Sequence, residues 1–372
     1  MTGLHFHPLR VRELRADTDD ALVLSFEVPD DLRATFRFQP GQYLTLRRAA
    51  GAAGGAAGGD LRRSYSICAA AGEGLRVGVR RVDGGVFSNW LHQELKAGDT
   101  LEVMEPQGRF GAAVAQATAQ TAAQTAPPRH LLCVAGGSGI TPVLSIVKSV
   151  LAGEPGSRVT LLYGNRSAGS TMFKEELEDL KNRYLTRLAL HPVFSREQVD
   201  SPLNSGRLDR EKIERFAPII GIETVDQAFV CGPHALNDEV EAALLAAGLA
   251  PERIHVERFG VPPSAADATL HAPREGDATT ARITVVRDGL TREIGFQPGD
   301  ESILAAASRA GMDVPFSCKS GVCATCRAKL LQGEVRMDRN FALEKADLEA
   351  GFILTCQAHP LTEQVVVSFD HR

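Results

Sequence analysis

The 372-residue sequence predicts a chain of three domains: an antiparallel β-barrel, an α/β domain built on a parallel sheet, and a small α+β domain. Three observations predict this fold class. The chain is longer than one hydrophobic core normally organises. Its apolar pattern changes near residue 130 from short alternating segments to strand-helix units. Four of its cysteines then fall after residue 317, in a region too short for a second large core.

Two segments of linker-like composition divide the chain. Residues 111–129 are rich in Ala, Gln and Thr, and residues 261–280 are rich in Pro, Ala and Asp. Such compositions are typical of linkers. They predict domains over residues 1–110, 130–260 and 281–372. An Ala/Gly run over residues 49–59 interrupts the first domain, and we expect it to be a surface loop.

Charge and hydropathy argue against two classes of partner. A formal net charge of -5 argues against a nucleic acid. The chain contains no run of about 18 apolar residues, so no membrane partner is expected. Its first residues lack the apolar core of a signal peptide. We therefore expect a cytoplasmic protein whose thiols are reduced.

The first third predicts a small antiparallel barrel, because short β-branched or alternating segments are separated by Gly, Pro and Asp turns. These segments are Ala21 to Val28, Phe36 to Leu46, Ser64 to Cys68, Leu75 to Val82 and Thr100 to Met104.

Two short motifs in this barrel suit a flavin dinucleotide. In Arg63-Ser64-Tyr65-Ser66, the arginine can pair with pyrophosphate and the tyrosine ring can lie against the isoalloxazine. In Gly85-Val86-Phe87-Ser88, backbone N–H groups at a helix N-terminus can hold phosphate oxygens. Taken alone, the first motif could equally be an ordinary barrel strand. The second motif, about twenty residues later, favours the flavin interpretation.

The middle third predicts a parallel sheet with helices on both faces. Strand segments are His130 to Ala135, Val159 to Tyr163, Leu188 to Phe194 and Ala228 to Cys231, and helical segments lie between them. The turn Gly136 to Pro142 leaves room for a pyrophosphate at a helix N-terminus, although its glycines do not match the Rossmann spacing. Cys231-Gly232-Pro233 ends a strand at the carboxyl edge, where open α/β sheets bind ligands.

The choice of nucleotide depends on the loop after the second parallel strand. Arg166 and Ser167 lie in this loop, and no acidic residue follows until Glu175. An arginine there can pair with a 2′-phosphate, whereas an acidic residue would favour the NADH ribose. The sequence therefore favours NADPH over NADH. The alternative is that Arg166 is an ordinary solvated arginine.

Four cysteines near the end of the chain predict a [2Fe-2S] cluster. Cys318, Cys323 and Cys326 stand in the pattern C-x4-C-x2-C, and 29 residues separate Cys326 from Cys356. This is the plant-type spacing. A structural zinc site usually pairs two C-x2-C arms, and a disulfide framework needs an oxidising compartment, so both alternatives fit less well. The remaining cysteines, Cys68, Cys133 and Cys231, stand in apolar contexts typical of small buried hydrophobes.

Taken together, these motifs resemble the ferredoxin-NADP reductase superfamily, and the appended cysteine domain resembles its iron-sulfur flavoprotein reductases. The resemblance covers essentially the whole chain. It implies an FAD-binding barrel, an NAD(P)-binding α/β domain and a β-grasp-like ferredoxin domain. It also implies an enzyme that moves electrons from NADPH through FAD to the [2Fe-2S] cluster. A flavin is needed between them because a hydride carries two electrons and the cluster accepts one.

The resemblance also implies roles for individual residues. The expected flavin-binding residues are Arg63, Tyr65 and Ser66, with Ser66 near N5, and Gly85, Val86 and Ser88 at the pyrophosphate. The expected nucleotide-binding residues are Gly136, Gly137, Gly139 and Thr141, with Cys231 and Gly232 beside the nicotinamide C4. Ser66, Thr141 and Cys231 are thus the expected catalytic residues. Phe259 is expected to cover the flavin ring, unless it is simply a buried residue at a strand end.

The expected partner is a terminal oxygenase. The C-terminal position of the ferredoxin domain, His7-Pro8-Leu9 and the segment Tyr163 to Ser167 are similar to the reductase components of phenylacetyl-CoA epoxidases. This similarity implies a diiron epoxidase complex of aerobic phenylacetate degradation. Reductases of Rieske-type and other oxygenases share the same modules, and a general electron carrier for another metalloprotein is a further alternative.

The charge around the cysteine loop bears on how that partner docks. Lys319, Arg327 and Lys329 surround the loop, and acidic and basic residues nearly balance over residues 281–372. Docking through a large acidic face is therefore not expected.

Overall fold

A computed structural model describes residues 4–48, 61–116, 127–261 and 270–371. The predicted surface loop over residues 49–59 lies outside these ranges, as do residues 117–126 and 262–269 of the two predicted linkers. The described residues fall into two compact units. The larger takes His7–Leu61 and Tyr65–Phe259; the smaller takes Gly260–Arg372 with Arg62–Ser64 and the N-terminal residues up to Phe6.

Six strands of the first third form the predicted barrel. Their order is β4-β3-β6-β1-β2-β5, and the pairs β1/β2, β2/β5 and β3/β6 are antiparallel. A bridge between Ile67, just after β4, and Val77 in β5 joins the two ends of this order and closes the sheet. The strands are β1 (Phe6–Thr18), β2 (Ala21–Glu27), β3 (Tyr43–Arg48), β4 (Leu61–Ser66), β5 (Arg76–Arg80) and β6 (Thr100–Met104), and helix α1 (Val86–Gln93) follows β5.

The middle third forms the predicted parallel sheet, with strand order β11-β10-β7-β8-β9. The order reverses between β7 and β10, so a crevice opens at their carboxyl ends. The strands are β7 (His130–Gly136), β8 (Arg158–Asn165), β9 (Leu188–Phe194), β10 (Gln227–Gly232) and β11 (Ile254–Arg258). The helices are α2 (Ile140–Gly153), α3 (Lys174–Arg183), α4 (Arg210–Ile220) and α5 (His234–Ala246).

The barrel and the parallel sheet share one hydrophobic core in the larger unit. Ala21, Val23 and Cys68 of the barrel pack in the same buried cluster as Cys133 and Phe229 of the sheet. Cys68 and Cys133 are fully buried, and burial raises the pKa of each thiol to about 12. These two cysteines are therefore the small hydrophobes that the sequence predicted.

The start of the predicted linker over residues 111–129 packs into this core. Residues 112–116 are helical, and Val114 is buried in the core shared by the barrel and the sheet.

An ion network also joins the barrel and the parallel sheet of the larger unit. Lys148 and Arg76 both pair with Glu176, the first at 2.8 Å, and Lys148 also pairs with Glu73. The orientation of the barrel on the sheet is thus fixed by apolar and ionic contacts together.

The smaller unit is a mixed sheet of order β13-β12-β18-β14-β16, with a separate pair β15/β17. Strands β12 and β18 are parallel, whereas β12/β13, β14/β18 and β14/β16 are antiparallel. Its elements are β12 (Ala281–Arg287), β13 (Leu290–Phe296), α6 (Ile303–Arg309), β14 (Arg327–Gln332), β15 (Val335–Met337), α7 (Lys345–Glu349), β16 (Phe352–Leu354), β17 (Ala358–Pro360) and β18 (Gln364–Ser368). This is the predicted α+β, β-grasp-like domain. Within the described residues, every helix is too short or too polar to cross a membrane.

Candidate flavin, nucleotide and iron-sulfur sites

A cleft of about 900 Å³ opens at the carboxyl edge of the parallel sheet, where the strand order reverses. The ends of β7 and β10 supply Gly136 and Gly232 to its wall. The predicted site residues that line it are Gly136, Gly137, Gly139, Arg166, Gly232 and Phe259. The structure therefore brings most of the predicted nucleotide residues to one cavity. Phe259 is 43% exposed, which removes the alternative of a buried residue at a strand end.

The glycine turn at the cleft is held by close backbone contacts. A Cβ atom on Gly139 would lie 2.0 Å from the carbonyl oxygen of Cys231, so no side chain fits there. Gly137 has a φ of +55°, a left-handed conformation that glycine adopts without strain. The Tyr163 hydroxyl donates to the Gly137 carbonyl at 3.0 Å, and the Thr141 hydroxyl donates to the Ser138 carbonyl at 3.0 Å. The backbone of this turn is thus held by its own contacts, with Gly136, Gly137 and Gly139 at the wall of the cleft.

Cys231 and Glu257 face each other across neighbouring strands beside the cleft. They are register partners in the parallel pair β10/β11. Cys231 is fully buried, and its burial, with a smaller contribution from the Glu257 charge, raises the pKa of the thiol. The Oε2 atom of Glu257 is buried and has no hydrogen-bond partner among the described residues. Burial raises the pKa of this carboxyl to about 8. Near neutral pH it is therefore an uncharged acid beside the predicted nicotinamide residue.

Replacing Glu257 with glutamine is expected to raise the melting temperature more at about pH 8.5 than at about pH 5. The carboxyl takes up a proton on folding, because its pKa rises from 4.5 to about 8. Stability of the native chain therefore falls as pH rises through this window, by a few kcal/mol in all, and levels off above it. The neutral amide of Glu257→Gln does not titrate. Thermal melts of both proteins at the two pH values check this, and an equal difference at both would contradict it.

The pocket wall near the predicted 2′-phosphate position is rich in arginine. Arg166 is exposed and lines the cleft, as do Arg207 in the loop before α4 and Arg210, the first residue of α4. Ser167 does not reach this wall. Its backbone N–H donates to the Ser170 hydroxyl at 3.0 Å, and the two residues cap a short 3-10 turn. The nucleotide loop thus contributes Arg166 to the cleft but uses Ser167 for its own structure.

The flavin motifs lie on β4 and at the start of α1. Ser66 is buried and Tyr65 is half-buried, with its ring centroid 6.1 Å from that of Phe87. Arg63, on the same strand, is exposed. Gly85 is the N-cap residue of α1, Val86 is the first residue of that helix, and the Ser88 hydroxyl accepts the Val82 N–H at 3.1 Å. The Gly85 N–H donates to the Val82 carbonyl at 2.9 Å, so the turn before α1 is closed by its own hydrogen bonds.

The four predicted cluster ligands lie in the smaller unit on two segments. The loop before β14 holds Cys318, Cys323 and Cys326, and Cys356 lies between β16 and β17. The two segments are tied together: the Thr355 N–H and hydroxyl both donate to the Cys326 carbonyl, at 3.2 and 2.9 Å.

The four cysteine sulfurs fit an iron-sulfur cluster whose irons are bound by thiolates. None of these four cysteines forms a disulfide, and Cys326 and Cys356 are buried. The Ser320 N–H points at the Cys318 sulfur, 3.4 Å away. A hydrogen bond from the Cys323 thiol, together with backbone N–H groups, lowers the pKa of Cys318. Backbone donors aimed at a cysteine sulfur are what a negatively charged iron-sulfur centre needs.

A second cluster of titratable groups in the smaller unit was not predicted from the sequence. Asp338 Oδ2 accepts from His271 Nδ1 at 2.9 Å and from His359 Nε2 at 2.7 Å. These three groups could hold a metal ion by spacing alone. However, Arg336 and Arg274 both pair with the other oxygen of Asp338, so its charge is already compensated. We interpret the cluster as a structural ion network.

Comparisons with known proteins agree with this geometry. Residues 8–111 match the oxidoreductase FAD-binding domain family, residues 133–242 the oxidoreductase NAD-binding domain family, and residues 285–361 the 2Fe-2S iron-sulfur cluster binding domain family. The chain is also 44% identical to one of the subunits of 1,2-phenylacetyl-CoA epoxidase from Escherichia coli, over 98% of each chain. The chain belongs to the iron-sulfur flavoprotein reductases of the ferredoxin-NADP reductase superfamily.

Other reductases of this kind share the same full length. The ferredoxin reductase component of 3-ketosteroid-9-alpha-monooxygenase from Rhodococcus rhodochrous is 34% identical, over 97% of this chain and 96% of that one. Among solved structures, phthalate dioxygenase reductase has the same fold, with a TM-score of 0.57, 23% identity and 98% of each chain covered. The predicted cofactor set is thereby confirmed as FAD, a nicotinamide nucleotide and a [2Fe-2S] cluster.

The sequence did not indicate three residues that the structure places beside the predicted sites. Glu257 had no signal of its own, because its pairing with Cys231 depends on the register of β11 against β10. Arg207 and Arg210 lie some forty residues after Arg166 and reach the same cleft only through the fold.

Thr141, which the sequence predicted as a site residue, is buried and lies behind the glycine turn, so the structure gives it a supporting position.

Proposed function

We propose that this reductase takes electrons from NADPH and delivers them to a terminal oxygenase, and that this oxygenase is a diiron epoxidase complex acting on phenylacetyl-CoA. The observation that carries the proposal is the 44% identity, over 98% of both chains, to a component of the Escherichia coli epoxidase. FAD held by the barrel would supply a carrier that can take two electrons as a hydride and give them up one at a time.

For the flavin, we propose that Arg63 pairs with its pyrophosphate, that Tyr65 lies against its ring and that Ser66 lies near N5. Gly85, Val86 and Ser88 would hold the phosphates. The position of Val86 as the first residue of α1 supports this assignment, since the first N–H groups of a helix have no partner within the helix and can bind an anion. The Gly85 N–H itself donates to the Val82 carbonyl. Phe259, exposed at the cleft, is proposed to cover the flavin ring.

For the nicotinamide nucleotide, we propose that Gly136, Gly137 and Gly139 receive the pyrophosphate and that Thr141 holds their turn. Cys231 and Gly232 would border the nicotinamide. The close contact of Gly139 with the end of β10 supports this arrangement, because it places the turn and the Cys231 carbonyl together. Glu257, the register partner of Cys231, would then lie beside the nicotinamide site.

For the cluster, we propose that Cys318, Cys323, Cys326 and Cys356 are its four ligands. The domain bounds proposed from the sequence, 1–110, 130–260 and 281–372, are close to the ranges that match the three families. The cluster domain is then the site from which electrons leave this protein and pass to the partner.

Replacing Arg166 with alanine is expected to lower the NADPH-to-NADH ratio of kcat/KM by about 10- to 100-fold, because a charge-assisted pair with the 2′-phosphate is lost. NADH, which lacks this phosphate, should be affected little. The matched control is Arg183→Ala, an exposed arginine at the end of α3 that is not among the residues lining the cleft. If the preference is unchanged in Arg166→Ala, the assignment of this arginine is wrong.

A second candidate partner is the oxygenase of another multicomponent system. The 34% identity to the reductase of 3-ketosteroid-9-alpha-monooxygenase favours it. Reconstitution separates the two: the chain is mixed with a purified phenylacetyl-CoA epoxidase or with a purified Rieske-type oxygenase, and substrate-coupled NADPH oxidation is measured. We expect coupling only with the epoxidase. Equal rates with either oxygenase, or with neither, would contradict the proposed partner.

A further inference from the structure

Gln357 is a fully buried amide directly after the fourth cysteine. Its backbone is fixed on both sides, since its N–H donates to the Leu354 carbonyl at 2.9 Å and its carbonyl accepts from the Asp338 N–H at 3.0 Å. These bonds fix the backbone position, between β16 and β17, from which the side chain extends. It points toward the loop that carries the other three cysteines.

The amide nitrogen of Gln357 lies among three acceptors. Its Nε2 atom is 3.0 Å from the Lys319 carbonyl oxygen, 3.0 Å from the Cys356 carbonyl oxygen and 3.5 Å from the Cys356 sulfur. An amide has two N–H groups, so one of them is shared between the two acceptors of Cys356. Gln357 thus joins the cysteine loop to the segment of the fourth cysteine, and places an N–H group beside a sulfur.

The contact with Lys319 supports an unusual backbone conformation. Lys319 has a φ of +56°, in the left-handed region that few residues other than glycine adopt. The Gln357 amide holds the carbonyl of this residue. The same side chain packs against Gly321, where an added Cβ would lie 3.3 Å from Gln357 Cγ. The loop between Cys318 and Cys323 is therefore shaped in part by Gln357.

The side-chain oxygen of Gln357 indicates that stability alone does not explain this residue. Its Oε1 atom is buried and has no hydrogen-bond partner among the described residues. Burying such an oxygen lowers stability. An apolar side chain of the same size would avoid this loss and fill the same space. The feature that only the amide supplies is its pair of N–H donors.

We propose that Gln357 is a positioning residue of the iron-sulfur site, which sets the reduction potential of the cluster through its N–H group at Cys356. Hydrogen bonds to cluster sulfurs are one of the properties that fix this potential. The reduced cluster carries one more negative charge, so a donor at the sulfur stabilises the reduced form more than the oxidised form. Removing the donor makes the cluster harder to reduce. The inference rests on the proposed role of Cys356 as a ligand, but on no particular partner.

The test is the midpoint potential of the cluster in Gln357→Met, which keeps the volume and removes the N–H groups. At a fixed solution potential, the ratio of reduced to oxidised cluster is expected to fall about tenfold, which corresponds to about 59 mV for one electron. Iron content should remain that of the native chain. The matched control, Gln332→Met, changes an exposed glutamine of the same unit and should leave the potential unchanged. An unchanged potential in Gln357→Met with full iron content overturns the proposal.

A second measurement keeps the proposal testable if Gln357→Met does not assemble. In the native chain labelled with ¹⁵N in glutamine side chains, pulsed EPR of the reduced cluster is expected to show coupling to one such nitrogen. No coupling would overturn the proposal. Failure of the ligand assignment has a different signature, because Cys356→Ser would then keep its iron. The two outcomes can therefore be told apart.

Discussion

Replacing Cys356 with serine is expected to lower the iron content from about two atoms per chain to nearly none. Serine lacks the soft anionic donor that iron requires, and Cys356 lies alone on its own segment, where no other cysteine of the described set can replace it. Electron delivery to a one-electron acceptor protein should fall by at least about 100-fold, more than the loss of an outer-shell contact causes. Reduction of FAD by NADPH should persist, because hydride transfer does not involve the cluster.

Cys133→Ala is the matched control for this experiment. Cys133 is also a buried cysteine, but it packs in the core of the larger unit. Its replacement should reduce stability by about 1–2 kcal/mol through loss of buried volume. Iron content and electron delivery should not change. Retention of two irons by Cys356→Ser, measured by iron analysis and the visible spectrum, would contradict the ligand assignment.

Replacing Gly139 with alanine is expected to lower kcat/KM for the nicotinamide nucleotide by at least about 100-fold, as misplacement by about 1 Å can do. The added Cβ would lie 2.0 Å from the Cys231 carbonyl oxygen and 2.5 Å from its carbon. Both are backbone atoms, so a rotamer change cannot relieve the clash. Either the glycine turn or the end of β10 must move, and both form the cleft. FAD and iron content should stay close to those of the native chain.

Gly169→Ala is the control for the nucleotide turn. Gly169 lies in the short turn after β8, has no atom within 4 Å of an added Cβ, and does not need a positive φ. Its kcat/KM should stay within about twofold of the native value, as for an ordinary surface change. Steady-state kinetics with NADPH and an artificial acceptor compare the two variants. Equal values for Gly139→Ala and Gly169→Ala would contradict the proposed pyrophosphate turn.

The fold and the place of the nucleotide cleft could be predicted because they depend on local pattern and a general rule of sheet topology. Alternation and strand-helix periodicity identified the sheet types, and the carboxyl-edge rule predicted that Gly136 and Gly232 lie at the same edge of the sheet. The observed reversal of strand order between β7 and β10 confirms that reasoning. The cysteine spacing likewise identified the iron-sulfur domain that the family match shows.

The features that could not be predicted depend on long-range register and burial. Glu257 carries no motif, and only its pairing with Cys231 and its loss of solvent give it an unusual pKa. Gln357 likewise carries no motif, because its contact with Lys319 joins positions 38 residues apart in the chain. The helix at residues 112–116, within the predicted linker, carries Val114, whose burial is decided by the core it joins. Composition alone indicated a linker there.

Freeze-quench EPR most directly tests the claim that electrons leave this protein through the [2Fe-2S] cluster. The native chain is mixed anaerobically with one equivalent of NADPH and then with the purified oxygenase. We expect the signal of the reduced [2Fe-2S] cluster to appear after flavin bleaching and to decay at the rate at which the oxygenase is reduced. An oxygenase that is reduced while the cluster stays oxidised throughout would contradict this order of electron transfer.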